Sequence, residues 1–234
     1  LSMAAGLIAA TVTLGAWAQA KPPVKIAAIN PLSGAGAFDG QLALEGMQAM
    51  AAIINANGGV LGGRMLELIP YDDKGNPEEG VSAAKRAMEQ DKVDLIVGGW
   101  FSAVALGQKE VTRDKIIHIV TSAQHPKVTD EGHKYLFRLN ATSNMMSDRY
   151  SKFVCENIKP KSVAFITIND DYGRLEVENY TRLLGACKIE IKGNEFYNRN
   201  DADFTTALTK LRSLNADAIY VSAINTSQGA TIYR

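Results

Sequence analysis

Beyond residue 20 the apolar positions fall into short β-rich runs separated by longer segments of helical spacing. Val24-Lys25-Ile26-Ala27-Ala28-Ile29 is one such run, closed by Asn30-Pro31. From Gln41 to Asn57, Leu42, Leu44, Met47, Met50, Ile53 and Ile54 lie close to helical spacing, and Gly58-Gly59 supplies a left-handed stop. A strand over Met65–Tyr71 follows, then a helix from Pro77 to Gln90. Pro77 suits a first turn, and Glu78 and Glu79 favour the positive end of the helix dipole. Val93–Val97 and Ile116–Val120 read as strands on either side of a helix over Ser102–Thr112. After Asn140 the rhythm restarts, with helices over Ser143–Asn157, Gly173–Leu184 and Ala202–Leu214 alternating with strands over Val163–Ile168, Ile189–Phe196 and Ala218–Val221. Gln228 to Arg234 reads as the first turns of one more helix.

Strands separated by helices of this length predict parallel βαβ units with right-handed crossovers. Because the rhythm occurs twice, the expected fold is α/β, with two Rossmann-like lobes whose parallel sheets are flanked by helices. The lobes would span residues 21–140 and 141–234, the second incomplete at its C-terminus. A single long doubly wound sheet is the alternative, and the irregular stretch Thr121–Lys134 favours two lobes.

The first twenty residues add a compartment. An apolar leader, Leu1 to Trp17, ends in Ala18-Gln19-Ala20, the small-x-small triplet that signal peptidase accepts. Its strongly apolar part, Met3 to Leu14, is shorter than the ~20 residues of a bilayer span, so cleavage is expected rather than anchoring. No Cys follows to carry a lipid. The leader lacks an initiating Met and a basic opening cluster, so it is expected to be partial. The expected product is an exported, periplasmic, soluble protein.

Charge then removes function classes. Lys plus Arg and Asp plus Glu both number 25, and no basic run occurs, which argues against nucleic acid and against an anionic membrane surface. Cys155 and Cys187 lie far apart in sequence, as either a disulfide or two buried free thiols. His118, His125 and His133 lack metal-ligand spacing, so no structural or catalytic zinc is expected, and no cofactor.

The glycine-rich stretches fail as nucleotide sites. Ser33-Gly34-Ala35-Gly36-Ala37-Phe38-Asp39-Gly40 starts like a dinucleotide fingerprint, but Asp39 takes the third glycine position and no ribose-binding acid follows at the right distance. Gly58 to Met65 has P-loop glycine spacing, yet Arg64 and Met65 replace the Lys and Ser/Thr. No Gly-x-Ser-x-Gly elbow is present.

What remains is a set of strand-to-helix loops, where open parallel sheets bind ligands. In Gly98-Gly99-Trp100-Phe101-Ser102, Ser102 can cap the next helix or, with the free N–H groups beyond it, grip a carboxylate. Thr121-Ser122-Ala123-Gln124-His125-Pro126 is either a second cluster of donors and acceptors or an ordinary polar turn. Phe38, Trp100 and Tyr172 are loop aromatics that can wall an apolar ligand or cover the sheet edge. Asp170 and Asp171 can take an ammonium or cap the following helix.

Taken in order, these segments resemble the branched-chain amino-acid-binding type of ABC-transporter receptor, a type I periplasmic binding protein. The marks are Lys25-Ile26 leading to Pro31-Leu32-Ser33-Gly34, then Ile54-Asn55-Ala56-Asn57-Gly58-Gly59-Val60-Leu61-Gly62-Gly63-Arg64. Tyr71-Asp72-Asp73 with Asn76-Pro77, Asp170-Asp171-Tyr172-Gly173, and Asp203-Phe204 with Leu208 and Leu211 complete the set. The resemblance runs from Val24 to Arg234. It implies two lobes joined by three hinge crossings around an enclosed ligand, with about a third of the mature protein beyond Arg234.

By that likeness, Ser102 falls on a carboxylate-binding hydroxyl, and Ser122 and Gln124 on the pair that touches carboxylate and ammonium. Tyr172 and Phe38 match aromatics from the second and first lobes. Gln124 stands where amino-acid binders usually carry Thr, Trp100 makes its loop bulkier, and Ile224 replaces a residue often aromatic. The acid that pairs with the ammonium would lie beyond Arg234. The implied protein is a monomeric receptor, not an enzyme, which delivers an amino acid to an ABC permease. A binder of amides, urea or aromatic carboxylates, a sensor module of the same fold and an exported enzyme are the alternatives. Residues 21–234 alone are expected to bind weakly or not at all, and the full-length form with micromolar or tighter affinity.

Overall fold

In a computed structural model, which describes residues 21–234, strands and helices alternate along most of that span. The leader and its Ala18-Gln19-Ala20 junction lie outside the described residues. Strands β1 (Val24–Asn30), β2 (Leu66–Asp72), β3 (Leu95–Gly98), β4 (Ile117–Val120) and β5 (Leu136–Arg138) form one parallel sheet in the order β2-β1-β3-β4-β5. Strands β6 (Ser162–Ile168), β7 (Glu190–Tyr197) and β8 (Ala218–Ser222) form a second, in the order β7-β6-β8, again parallel. Two sheets are therefore present in place of one long one.

The helices are α1 (Ala37–Ala56), α2 (Pro77–Glu89), α3 (Ser102–Thr112), α4 (Ser143–Phe153), α5 (Asp171–Ala186), α6 (Thr205–Ser213) and α7 (Thr226–Ile232). Most starts are set by side chains that accept a first-turn N–H. Asn76 accepts from Glu79, Thr142 from Met145, Asp170 from Gly173 and Asn225 from Gln228. Gly58 and Gly59 take φ of 93° and 74° and close α1, as their sequence position requires.

Beyond shifts of a residue or two, four elements differ from the sequence expectation. Helix α1 begins at Ala37, four residues before the Gln41 read from the sequence. The helix read from Ala202 starts at Thr205, because the Asp203 carboxylate binds the Thr205 N–H and hydroxyl and holds its own turn open. The helix read to Asn157 ends as α at Phe153 and passes into a wider π turn over Val154–Ile158. Strand β5 was not foreseen; three residues at a sheet edge are too few to show alternation.

Each sheet has its own core. Ala27, Ile29, Tyr71 and Ile96 pack with Ala83, Ala84 and Ala87 of α2 in the first. In the second, Ile166, Ile168 and Tyr197 pack with Phe204, Leu211 and Ile232. Each buried Ile, Leu or Phe side chain among these contributes roughly 1.5–3 kcal/mol, and each alanine less. Helix α1 is different. It packs against β1 and β2 and buries Ala51, but its apolar stripe is only partly covered, and Met50 and Ile53 are each 56% exposed. Beside it an apolar groove opens, lined by Ile26, Met47, Met50, Ile54, Leu68 and Val97.

Cys155 and Cys187 are joined in a disulfide. It ties the π turn after α4 to the end of α5, and the alternative of two buried thiols falls away.

Candidate functional site

Both sheets put their loops of interest at the carboxyl ends of the strands. In the first, the strand order turns between β1 and β3, and in the second at β6, so each has a switch point where a crevice opens. Close packing at the first switch point is permitted by Gly98. Its φ is 153°, and a Cβ there would lie 1.9 Å from the Ile29 carbonyl oxygen of β1. Between the two sets of loops lies a cavity of about 130 Å³. The loop after β3 supplies Trp100, Phe101 and Ser102, and the loop after β4 supplies Ser122, Ala123 and Gln124. Asp170 and Tyr172 come from the β6 end, Ala223 and Ile224 from the β8 end.

Five of the six residues singled out in the sequence, Trp100, Ser102, Ser122, Gln124 and Tyr172, line this cavity together. Phe38 does not; it lies in the first turn of α1, 55% exposed. Tyr172 likewise begins a helix instead of sitting on a free loop, and burial pushes its phenol pKa up, so it stays protonated.

Ser102 is not a helix cap. Phe101 occupies that position without a side-chain bond, and Ser102 is the first residue of α3. Its buried hydroxyl accepts the backbone N–H groups of Gln124 and His125, both at 3.2 Å, which fastens the β4 loop onto α3. A serine hydroxyl has two acceptor positions and one donor. With both acceptor positions taken, the hydrogen is what remains for a ligand, and that suits an acceptor such as a carboxylate. The first-turn N–H groups of α3 and the helix dipole act in the same sense.

Asp170 does cap α5, accepting the Gly173 N–H through Oδ1 at 3.1 Å. Its other oxygen is taken by Arg199, whose Nη2 donates to Oδ2 at 2.8 Å. The Arg199 guanidinium also lies 4.1 Å from the centre of the Phe101 ring. Arg199 thus bridges elements of the two sheets. Nothing in the sequence marked it, since its partners lie 29 and 98 positions away. Asp39, which spoils the dinucleotide fingerprint, makes a second bridge. Its carboxylate accepts the Thr226 N–H at 3.0 Å and the Thr226 hydroxyl at 2.6 Å.

The Tyr71-Asp72-Asp73 segment is structural. Asp72 accepts the N–H groups of Leu32 and Ser33 and the Ser33 hydroxyl, which shapes the loop after β1. Asp73 accepts the Gly75 N–H at 2.8 Å, but burial pushes its carboxyl pKa up to about 6, Asp72 adding to this and Arg199 opposing it. A raised carboxyl binds its proton more tightly in the folded state than in the unfolded one, whose pKa is ~3.9. Between about pH 4 and pH 6 the folded chain therefore holds the extra proton, and stability falls as pH rises through that window. Asp73→Asn keeps an acceptor for Gly75 and removes the titration. Its stability relative to the parent should rise by roughly 2 kcal/mol between pH 4 and pH 7 in urea unfolding, and a flat difference would refute this.

The sequence over residues 23–233 matches the periplasmic binding protein family, and the chain belongs to it. It is 30% identical over 208 residues to a Leu/Ile/Val-binding protein, BraC3, of Rhizobium johnstonii, covering 88% of this chain and 56% of that one. Among solved structures it is similar to the branched-chain amino acid transporter substrate-binding protein LivJ of Streptococcus pneumoniae in complex with isoleucine. There the identity is 29%, the TM-score 0.77, and the coverage 85% of this chain and 56% of LivJ. A solute-binding protein of an ABC transporter from R. palustris, in complex with benzoate, shares the fold with a TM-score of 0.79 at 23% identity, covering 86% of this chain and 55% of that one. The chain spans 56–61% of the length of the curated relatives it matches.

Proposed function

We propose that the protein is an extracytoplasmic solute receptor. It captures a small polar metabolite, an amino acid first among them, between lobes of residues 21–140 and 141–234, and delivers it to an ABC permease. The observation that carries this reading is the cavity at the carboxyl ends of strands from both sheets, with the Ser102 hydroxyl held by two backbone N–H groups at its wall. Its volume, about 130 Å³, is below the ~300–1,000 Å³ of larger ligand sites and suits a small solute.

In this reading Ser102, Ser122 and Gln124 bind the polar end of the ligand, while Trp100, Tyr172 and Ile224 wall its apolar part. Closure of the hinge presents one composite surface to the permease. The receptor acts as a monomer, and no step needs a nucleophile or a general base. The leader and the disulfide both support export to an oxidising compartment. An aromatic carboxylate is the second reading, supported by three aromatic side chains, Trp100, Phe101 and Tyr172, around one cavity.

A thermal-shift screen of the full-length mature protein against amino acids, small amides and aromatic acids tests this. At a ligand concentration of about 100 times Kd, binding should stabilise the fold by ~2.7 kcal/mol. A response to aliphatic amino acids supports the first reading, and a response confined to aromatic acids the second. Silence across the panel would refute both.

A further inference from the structure

The receptor reading leaves one feature of the cavity unexplained: a carboxylate stands in the wall of a site whose donors suit a carboxylate. Asp170 lines the cavity with Ser102 and Gln124. A sphere of this volume is roughly 6 Å across, and at an effective dielectric of about 20 two negative charges at that distance repel enough to weaken binding by about 100-fold. Unless Asp170 is neutralised, the site should reject the ligands that Ser102 is arranged to take.

Arg199 supplies the neutralising charge without lining the cavity itself. It binds Asp170 Oδ2 at 2.8 Å, with side-chain exposures of only 19% and 17% for the two partners, so bulk water screens the pair weakly. The guanidinium is fixed from several sides. Phe101 covers one face. The buried amide of Gln228 donates to the carbonyls of Asn198, Arg199 and Asp201, which holds the loop that carries the arginine.

We propose that Arg199 is a specificity-determining residue that acts through Asp170. By cancelling the Asp170 charge at the cavity wall, it sets the site to prefer a carboxylate ligand over the corresponding neutral amide. This rests on the receptor reading and adds to it which charge the ligand carries at its Ser102 end.

The test is titration calorimetry on the full-length protein with two pairs of compounds, L-leucine against L-leucinamide and benzoate against benzamide. Whichever pair the parent protein binds, Arg199→Met should lower the acid-to-amide affinity ratio by about 10- to 100-fold. The double variant Asp170→Asn with Arg199→Met should restore the ratio to within about threefold of the parent, because both charges are then gone. If Arg199→Met fails to fold, Asp170→Asn alone decides. It removes the carboxylate from the wall while Arg199 stays, so the ratio should hold or rise, and a fall would overturn the proposal. An unchanged ratio in Arg199→Met, or equal loss of acid and amide in both variants, would show a structural clamp and overturn it as well. If the parent protein binds none of the four compounds, the receptor reading itself falls for these ligand classes, and the charge argument with it.

Discussion

Ser102→Ala in the full-length protein should lower ligand affinity by about 10- to 150-fold, the equivalent of one hydrogen bond to a charged group at roughly 1.5–3 kcal/mol. The same change should also destabilise the unliganded chain. The Ser102 hydroxyl accepts from Gln124 N and His125 N, and alanine leaves both N–H groups without that acceptor. Leaving buried donors unsatisfied costs about 1–3 kcal/mol. The two effects come apart by experiment, because calorimetry reads the first and urea unfolding without ligand reads the second. A loss of stability with unchanged affinity would reduce Ser102 to a fastener of the β4 loop. Loss of affinity with unchanged stability would mean the two backbone contacts contribute nothing net.

Removing the disulfide should have the largest effect on stability. Cys155 and Cys187 are 32 positions apart, and a closed loop of that length restricts the unfolded chain by about 3–4 kcal/mol in the loop-entropy account. Cys155→Ala with Cys187→Ala should therefore lower Tm by roughly 10 °C, and adding a reductant to the parent protein should reproduce the loss. The bond joins two segments that flank the core of Val154, Phe165, Tyr180 and Leu184. A loss below about 1 kcal/mol would show that this core holds the ends together without the covalent link.

Why some of this was legible in the sequence follows from what each signal depends on. The β1 and β6 runs are buried nearly throughout, and a continuous apolar run of strand length is visible in one dimension. Helix α2 announced itself through Pro77 and two glutamates, and its capping residue Asn76 is also local. The loops after β3, β4 and β6 were found because parallel sheets gather ligand-binding loops at one edge, so topology alone nominates them. Alternatives that differ only in a hydrogen-bond partner could not be separated that way. Ser102 as a cap and Ser102 as an anchor for the β4 loop place the same residue at the same helix start. Only the position of Gln124 and His125 in space decides between them.

The sequence by itself determined the α/β alternation, the family resemblance, and five of the residues that line the cavity, because periodicity, turn chemistry and strand-end loops are properties of neighbours along the chain. The tertiary structure alone decided the rest. It excluded Phe38 from the cavity, joined Cys155 to Cys187, and set Asp39 against Thr226 and Arg199 against both Asp170 and Phe101. All but the exclusion of Phe38 depend on contacts between residues 29 to 187 positions apart, and a charge or thiol carries no local sign of the partner it will meet.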